Sequence, residues 1–312
     1  MCEIVCFIHS CTLDTWGSQK LTDLIGKLRD SGLLDRLSNV FINNVGTTLP
    51  EDLYPEGNIW ITNYSTSTDQ FENCTLRQMH FYAQLHPDHK LLYLHTKGVS
   101  YPLTHPHTPN ITDWVDFMSY GLITHHRFCT DMLDHVDTVG MNYRSIKMAS
   151  PQYPDPDHFS GNYWWVTAKY WSTAPIHELK TKYDAEWILF KKKPTFVHIW
   201  KCPVGHYENS YKLSEYQGLV NDRIRAYREL FTAIIPEEKQ EQEKVKIYYG
   251  VAENYTDVTD KCLSKDVIHV PAGDGDRNQL LGDPLPGTVK HIKIGGLTFG
   301  YEEEVNLRYY TD

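Results

Sequence analysis

At 312 residues with 41% apolar side chains, the chain is long enough for one large domain, or a large and a small one, around a substantial core. Its formal charge of -10 argues against a nucleic-acid partner, which needs clustered Lys and Arg on one face. No run approaches the roughly 18 apolar residues of a spanning helix, the opening MCEIVCFIHSC lacks the basic flank of a signal peptide, and seven cysteines without a C-x-x-C pair fit reduced thiols, so a cytoplasmic protein is expected.

From the N-terminus, Ile4 to Ile8 reads as a buried strand ending in His9, Ser10 and Cys11, and the stretch from Thr12 through Thr15 to Gln19 leads into a helix. Leu21, Leu24, Ile25 and Leu28 recur at helical spacing and Gly32 stops that helix. Val40 to Ile42 and Ile59 to Thr62 are further strands, and Leu76 to Leu85 is a helix ended by Pro87. This alternation predicts a mostly parallel sheet flanked by helices, a Rossmann-like α/β arrangement. The next strand, Leu91 to Leu94, is apolar without alternation, as a strand covered on both faces should be, and stops abruptly at His95, Thr96, Lys97 and Gly98. Ligands of open α/β sheets bind outside the carboxyl ends of strands, so these residues are candidate donor-binding and catalytic groups; a solvated strand-end Lys is the plainer alternative.

A Pro- and His-rich loop follows, with Thr112 expected to cap the next helix. His105 with His107, and His125 with His126, lack the i, i+4 spacing that converges on a metal. After a strand over Val136 to Met141 comes DPDHFSGNYWWVTAKYW, in which Ser160, Gly161 and Asn162 form a tight polar turn before Trp164 and Trp165. Such aromatics suit a sugar-binding cleft, with core filling expected for one of the two tryptophans. Asp184 and Glu186 flank Ala185 at the start of an apolar helical stretch, as a general base or as charges favourable to a helix N-terminus. Phe196 to Trp200, carrying His198, is another strand, and Tyr216 to Ile234 a long amphipathic helix. PEEKQEQEK, residues 236–244, reads as a charged linker between a domain over residues 1–235 and a small all-β domain over 245–312 with strands at Val245 to Tyr249, Val267 to Val270 and Val289 to Ile294.

The combination of YLHTKGVSYP, HFSGNYWWVTAKYW and DAEWIL resembles a family of GT-A-like glycosyltransferases of giant DNA viruses and some microbes, over roughly residues 1 to 235. The resemblance implies an enzyme that transfers a sugar from a nucleotide-sugar donor to a hydroxyl of a glycan or glycoprotein, in the cytoplasm, which for a viral member is the host's. It implies a sheet that binds the donor, a turn of Ser160, Gly161 and Asn162 with Trp164 and Trp165 bordering the donor and acceptor cleft, and an active-site carboxylate at Glu186; the strand and helix ends add His9, Thr15, His95 and Thr96 as candidate donor contacts, and Asp184 is the alternative base. Most GT-A enzymes hold a divalent metal with a D-x-D pair at the strand end occupied here by His95, Thr96 and Lys97. Either Lys97 supplies the positive charge for the leaving diphosphate, or Mn2+ or Mg2+ is held elsewhere, by Asp155, Asp157 or His198. The competing reading is a catalytically inactive module that binds a glycan or nucleotide sugar, for which the missing D-x-D argues. A metal-dependent hydrolase finds no supporting motif.

Overall fold

A computed structural model of the protein describes residues 2–145, 156–234, 245–264 and 267–308. The chain runs β1 (Ile4–Thr12), α1 (Thr15–Asp30), β2 (Asn39–Gly46), β3 (Ile59–Ser65), α2 (Asn73–Leu85), β4 (Lys90–His95), α3 (Thr108–Ser119) and α4 (His126–Met132). Then come β5 (Thr138–Gly140), β6 (Tyr143–Arg144), β7 (His158–Phe159), β8 (Trp164–Thr167), α5 (Ala168–Trp171), α6 (Asp184–Trp187), β9 (Phe196–His198) and α7 (Leu213–Ile234). The C-terminal part adds β10 (Ile247–Val251), β11 (Asn254–Asp257), α8 (Thr259–Cys262), β12 (Leu263–Ser264), β13 (Val267–Val270), α9 (Asp274–Leu281), β14 (His291–Ile294), β15 (Leu297–Phe299) and β16 (Val305–Arg308).

Ten strands form one central sheet in the order β12-β13-β16-β9-β5-β8-β4-β1-β2-β3. The long strands β4, β1, β2 and β3 are mutually parallel, so their carboxyl ends share one edge. β8 enters antiparallel between β4 and β5, and β5 lies parallel to β9. The architecture is therefore mixed α/β, with a large, mostly parallel central sheet flanked by helices and a small antiparallel sheet, β11-β10-β14-β15. No helix among the described residues is long and apolar enough to cross a membrane.

The period of two along a strand explains how β4 is covered. Leu92 and Leu94 pack with Leu21, Leu24, Ile25 and Leu28 of α1 on one face, whereas Leu91 and Tyr93 pack with Leu76, Met79 and Ala83 of α2 on the other. α1 ends where Gly32 takes a φ of 71°, a left-handed conformation that costs glycine little. α3 starts four residues before the expected Thr112, at Thr108, because Pro109 suits a first helical turn; Thr112 instead bonds back to the Thr108 carbonyl at 2.9 Å.

The C-terminal part corrects the expectation of a separate all-β domain. It contains α8 and α9, and its strands β16, β13 and β12 extend the central sheet, with Asn306 paired to Phe196 of β9. Without them β9 would present an open edge. Ile247, Ile268 and Leu307 belong to the same hydrophobic cluster as Ile8 and Val139. Arg223 of α7 donates to the Thr298 carbonyl at 2.6 Å and to Glu303 at 2.9 Å. Burial alone would raise the Glu303 carboxyl, but Arg223 and His198 beside it bring it down to about 2. The expected linker, residues 236–244, lies outside the described residues. Deleting residues 245–312 should therefore leave an aggregating fragment, because it uncovers a shared core. A soluble fragment with one cooperative melting transition would show that the N-terminal core stands without it.

Candidate functional site

The residues with chemical potential converge where β1 and β4 end. His9 and His95 are paired across these two strands, and both lie on the α2 side of the sheet, two positions beyond Phe7 and Tyr93. α2 delivers its partners there. Thr75 shares a 3.1 Å hydrogen bond with His9 Nδ1, and Glu72, just before the first turn of α2, accepts from the Tyr93 hydroxyl and from Asn162 Nδ2, each at 2.6 Å. Thr96 falls on the opposite side of the strand end and locks the two strands together, its hydroxyl accepting from the Cys11 amide at 3.0 Å.

His95 is the centre of this arrangement. Its Nε2 donates to the Gly161 carbonyl at 3.0 Å, which fixes the tautomer, and Tyr163 donates to the His95 carbonyl at 2.6 Å. Burial, together with the Lys97 ammonium, pushes its pKa down to about 3, so the ring is neutral. Its bare Nδ1 then faces Glu72 Oε1 at 3.6 Å, beyond hydrogen-bond length. Each of these two acceptors can take one hydrogen bond from a separate donor. Burial likewise drives His9 down to about 4 against the opposing pull of Glu72.

The polar turn before β8 is held open by backbone conformations that few residues adopt. Gly161 has φ 103° and Asn162 φ 58°. A Cβ on Gly161 would stand 2.2 Å from Met118 Sδ, so glycine is required both for its angle and for the close approach of α3. Asn162 spans the turn, donating to Glu72 and accepting from Trp164 Nε1 at 2.8 Å. Ser160 is buried beside it, its amide bonded to the Asn142 carbonyl.

Lys97 lies just past β4, half-buried, with its ammonium 4.2 Å from the centre of the Trp114 ring. His206 stacks on Trp114 at 4.4 Å with the planes 5° apart. Among the described residues no carboxylate lies within 4.0 Å of the Lys97 ammonium, and burial lowers its pKa, while the charges of Glu186 and Glu72 raise it in part. The charge of Glu186, half-buried in α6, acts in the same direction on the His95 imidazole and the Tyr207 hydroxyl. A cavity of about 370 Å³ between α1 and α3 reaches Thr96, Lys97 and Tyr163.

The structure thus gathers His9, His95, Thr96, Lys97, Gly161, Asn162 and Glu186, and leaves several expected site residues elsewhere. Trp164 and Trp165 are corrected as acceptor contacts. As neighbours on a central strand they point to opposite faces, and both faces are covered: Trp164 stacks on Tyr93 at 4.8 Å, and Trp165 donates to the Leu122 carbonyl at 2.9 Å. Asp184 is held in a turn of its own. Its Oδ2 accepts from the Lys180 and Thr181 amides at 2.9 and 2.6 Å; burial would raise this carboxyl, but those bonds hold it low, as a turn-capping group. Thr15 is exposed in the first turn of α1, and no hydrogen bond of the cluster involves it.

The metal alternative does not fit the described residues. His198 is buried with Nδ1 at 3.5 Å from Glu303, inside the ion pair of Glu303 with Arg223. Asp157 acts electrostatically on Tyr143, and Asp155 lies outside the described residues. No group of three or more His, Cys, Asp or Glu among the described residues is arranged to hold a metal ion. At the strand end itself, His95 is committed to Gly161, and Lys97 is a cation that would repel a metal.

Glu72 is the member that sequence reasoning missed. It is an ordinary acidic residue before a helix, and only its hydrogen bonds to β4 and to the 160–162 turn mark it. Comparison with known families finds a match to the model described as Domain of unknown function (DUF8361) over residues 27–202. That span contains Glu72, His95, Lys97, the polar turn and Glu186 but neither β1 nor the C-terminal part. No curated protein matches the chain.

Proposed function

The chain belongs to the DUF8361 family, a domain of unknown function, and from the chemistry of its strand ends we propose a glycosyltransferase that moves a sugar from a nucleotide-sugar donor to a hydroxyl of a glycan or glycoprotein. The observation that carries this reading is Lys97: a half-buried ammonium, held on the Trp114 ring without an ion-pair partner among the described residues, where the charge of Glu186 favours its protonated form. Keeping an unpaired cation half out of water is unfavourable unless an anion arrives. The GT-A-like assignment is part of the same proposal, supported by the parallel run β3-β2-β1-β4 that ends in the site and by the antiparallel insertion of β8.

In this mechanism the acceptor oxygen attacks the anomeric carbon of the donor, and the bond from that carbon to the diphosphate oxygen breaks. Glu186 takes the acceptor proton, and the electron pair leaves with the diphosphate, whose growing charge Lys97 neutralises. The acceptor pair of His95 Nδ1 and Glu72 Oε1 receives donor hydroxyls, such as those of the ribose. No step passes through a metal.

Thermal-shift and calorimetric titration with nucleoside diphosphates and their sugars tests the donor site, since a ligand of the folded state stabilises it by mass action. Because burial lowers the Lys97 pKa, its ammonium deprotonates earlier than that of an exposed lysine. Diphosphate affinity should therefore be full at neutral pH, fall as pH rises through that lowered value, and lose this dependence in Lys97→Met. An affinity that stays flat into the alkaline range would remove Lys97 from the phosphate site.

A further inference from the structure

The loop between β4 and α3 and the loop before α7 bring four ring side chains together at the surface. Tyr101 and His105 are 4.8 Å apart between ring centres, His105 and His107 5.0 Å, His107 and Tyr207 6.0 Å, and Tyr207 and Tyr101 6.1 Å, which closes the set into a continuous ring-lined patch. The patch is built rather than incidental. Thr108 donates to the Pro102 carbonyl at 2.8 Å and the His107 amide to His105 Nδ1 at 3.2 Å, while Asn110 of α3 donates to the Tyr207 carbonyl at 2.9 Å. Tyr207 is nevertheless 39% exposed.

The patch adjoins the site already described. Tyr207 meets Trp114 edge-on at 5.8 Å, and Trp114 carries the Lys97 ammonium. The Glu186 charge reaches the Tyr207 hydroxyl, with burial the larger cause of its raised pKa. We propose that Tyr101, His105, His107 and Tyr207 form an acceptor subsite for a neutral saccharide, joined to Lys97 through Trp114, an assignment whose catalytic meaning rests on the glycosyltransferase reading. Ring faces match the apolar C–H faces of a pyranose, and the phenol and imidazole edges supply donors and acceptors for its hydroxyls. None of the four side chains is a carboxylate, an ammonium or a guanidinium, which favours an uncharged sugar over a phosphate or an acidic chain. A saccharide lying on these rings directs a hydroxyl toward Glu186, where its proton is to be removed. The subsite takes the role expected of Trp164 and Trp165.

The test uses the full chain and a panel of neutral mono- to tetrasaccharides, including methyl glucosides, galactosides, mannosides, fucosides, rhamnosides and xylosides, followed by saturation-transfer NMR and titration of any that bind. The wild-type protein should bind at least one member. Tyr101→Ala with Tyr207→Ala should weaken that binding about tenfold or more, whereas Tyr207→Phe, which keeps the ring, should stay within about threefold. Nucleoside diphosphate affinity, measured in parallel, should not move. Should the double variant melt abnormally, Tyr207→Ala alone, at an exposed position, decides. The proposal is overturned if the wild-type protein binds no panel member at millimolar concentration, or if removing the rings leaves saccharide affinity unchanged. Loss of nucleotide binding in every protein, wild type included, would fail the donor reading instead, and the saccharide titration would still decide the subsite.

Discussion

Lys97→Met should slow nucleotide release from the donor sugar by roughly 10²- to 10³-fold while weakening donor affinity much less. The asymmetry follows from when the charge appears. In the ground state the diphosphate is already anionic and well solvated; as the glycosidic bond breaks, further charge develops on the oxygen that departs, and an ammonium placed beside it gains most at that moment. Removing one such preorganised donor typically costs about 3 to 4 kcal/mol, whereas losing a solvated surface lysine costs close to nothing. The position of Lys97 favours the larger figure: it is half-buried, its pKa is lowered by that burial, and Trp114 holds its ammonium at 4.2 Å. Methionine keeps an apolar stem that still packs on the indole, so the fold should survive. Single-turnover rates beside donor affinities would check this. A variant with normal rates, in chelator and in added manganese alike, would reduce Lys97 to a strand-end lysine.

Glu186→Gln should lower transfer by about 10²-fold or more with donor affinity nearly unchanged, since glutamine keeps the size and hydrogen bonding of the side chain and loses only its basicity. The three carboxylates differ in what they already bind. Asp184 spends its Oδ2 on the Lys180 and Thr181 amides, and Glu72 spends its Oε2 on Tyr93 and Asn162, whereas the Glu186 charge acts on Lys97 and Tyr207 and its carboxylate has no such pair of donors among the described residues. Full activity in that variant would point to a retaining mechanism, which needs no such base.

Parts of this arrangement were legible in the linear sequence because their causes are local. The apolar run Leu91 to Leu94 with its sudden polar end marked β4 and where it stops, and the spacing of Leu21, Leu24, Ile25 and Leu28 placed α1 on the sheet. Gly161 and Asn162 stood out as turn residues, and both take positive φ. What escaped the sequence depends on pairing at long range. Adjacent tryptophans look like a cleft lining until β8 is seen between β4 and β5, where each face it shows is covered. Asp184 and Glu186 differ by two positions, and only the turn at residues 180–184 separates a capping carboxylate from one whose charge is felt at Lys97. Glu72 and the Tyr207 patch require contacts across 21 and 90 residues, and across 97, respectively, which no local pattern encodes. The C-terminal strands likewise read as a self-contained set because nothing in Val267 to Val270 announces that β16 will join β9.

The proposed reaction breaks the bond between a sugar and a nucleoside diphosphate. Its most direct test is release of free nucleotide from a panel of nucleotide sugars, with and without saccharide acceptors, by the full chain and by Lys97→Met and Glu186→Gln. The account predicts release from at least one donor, stimulated by an acceptor, and lost in both variants at preserved donor binding. Saturable binding of a donor with no nucleotide release under any of these conditions would contradict it and leave a module that binds nucleotide sugars without turning them over.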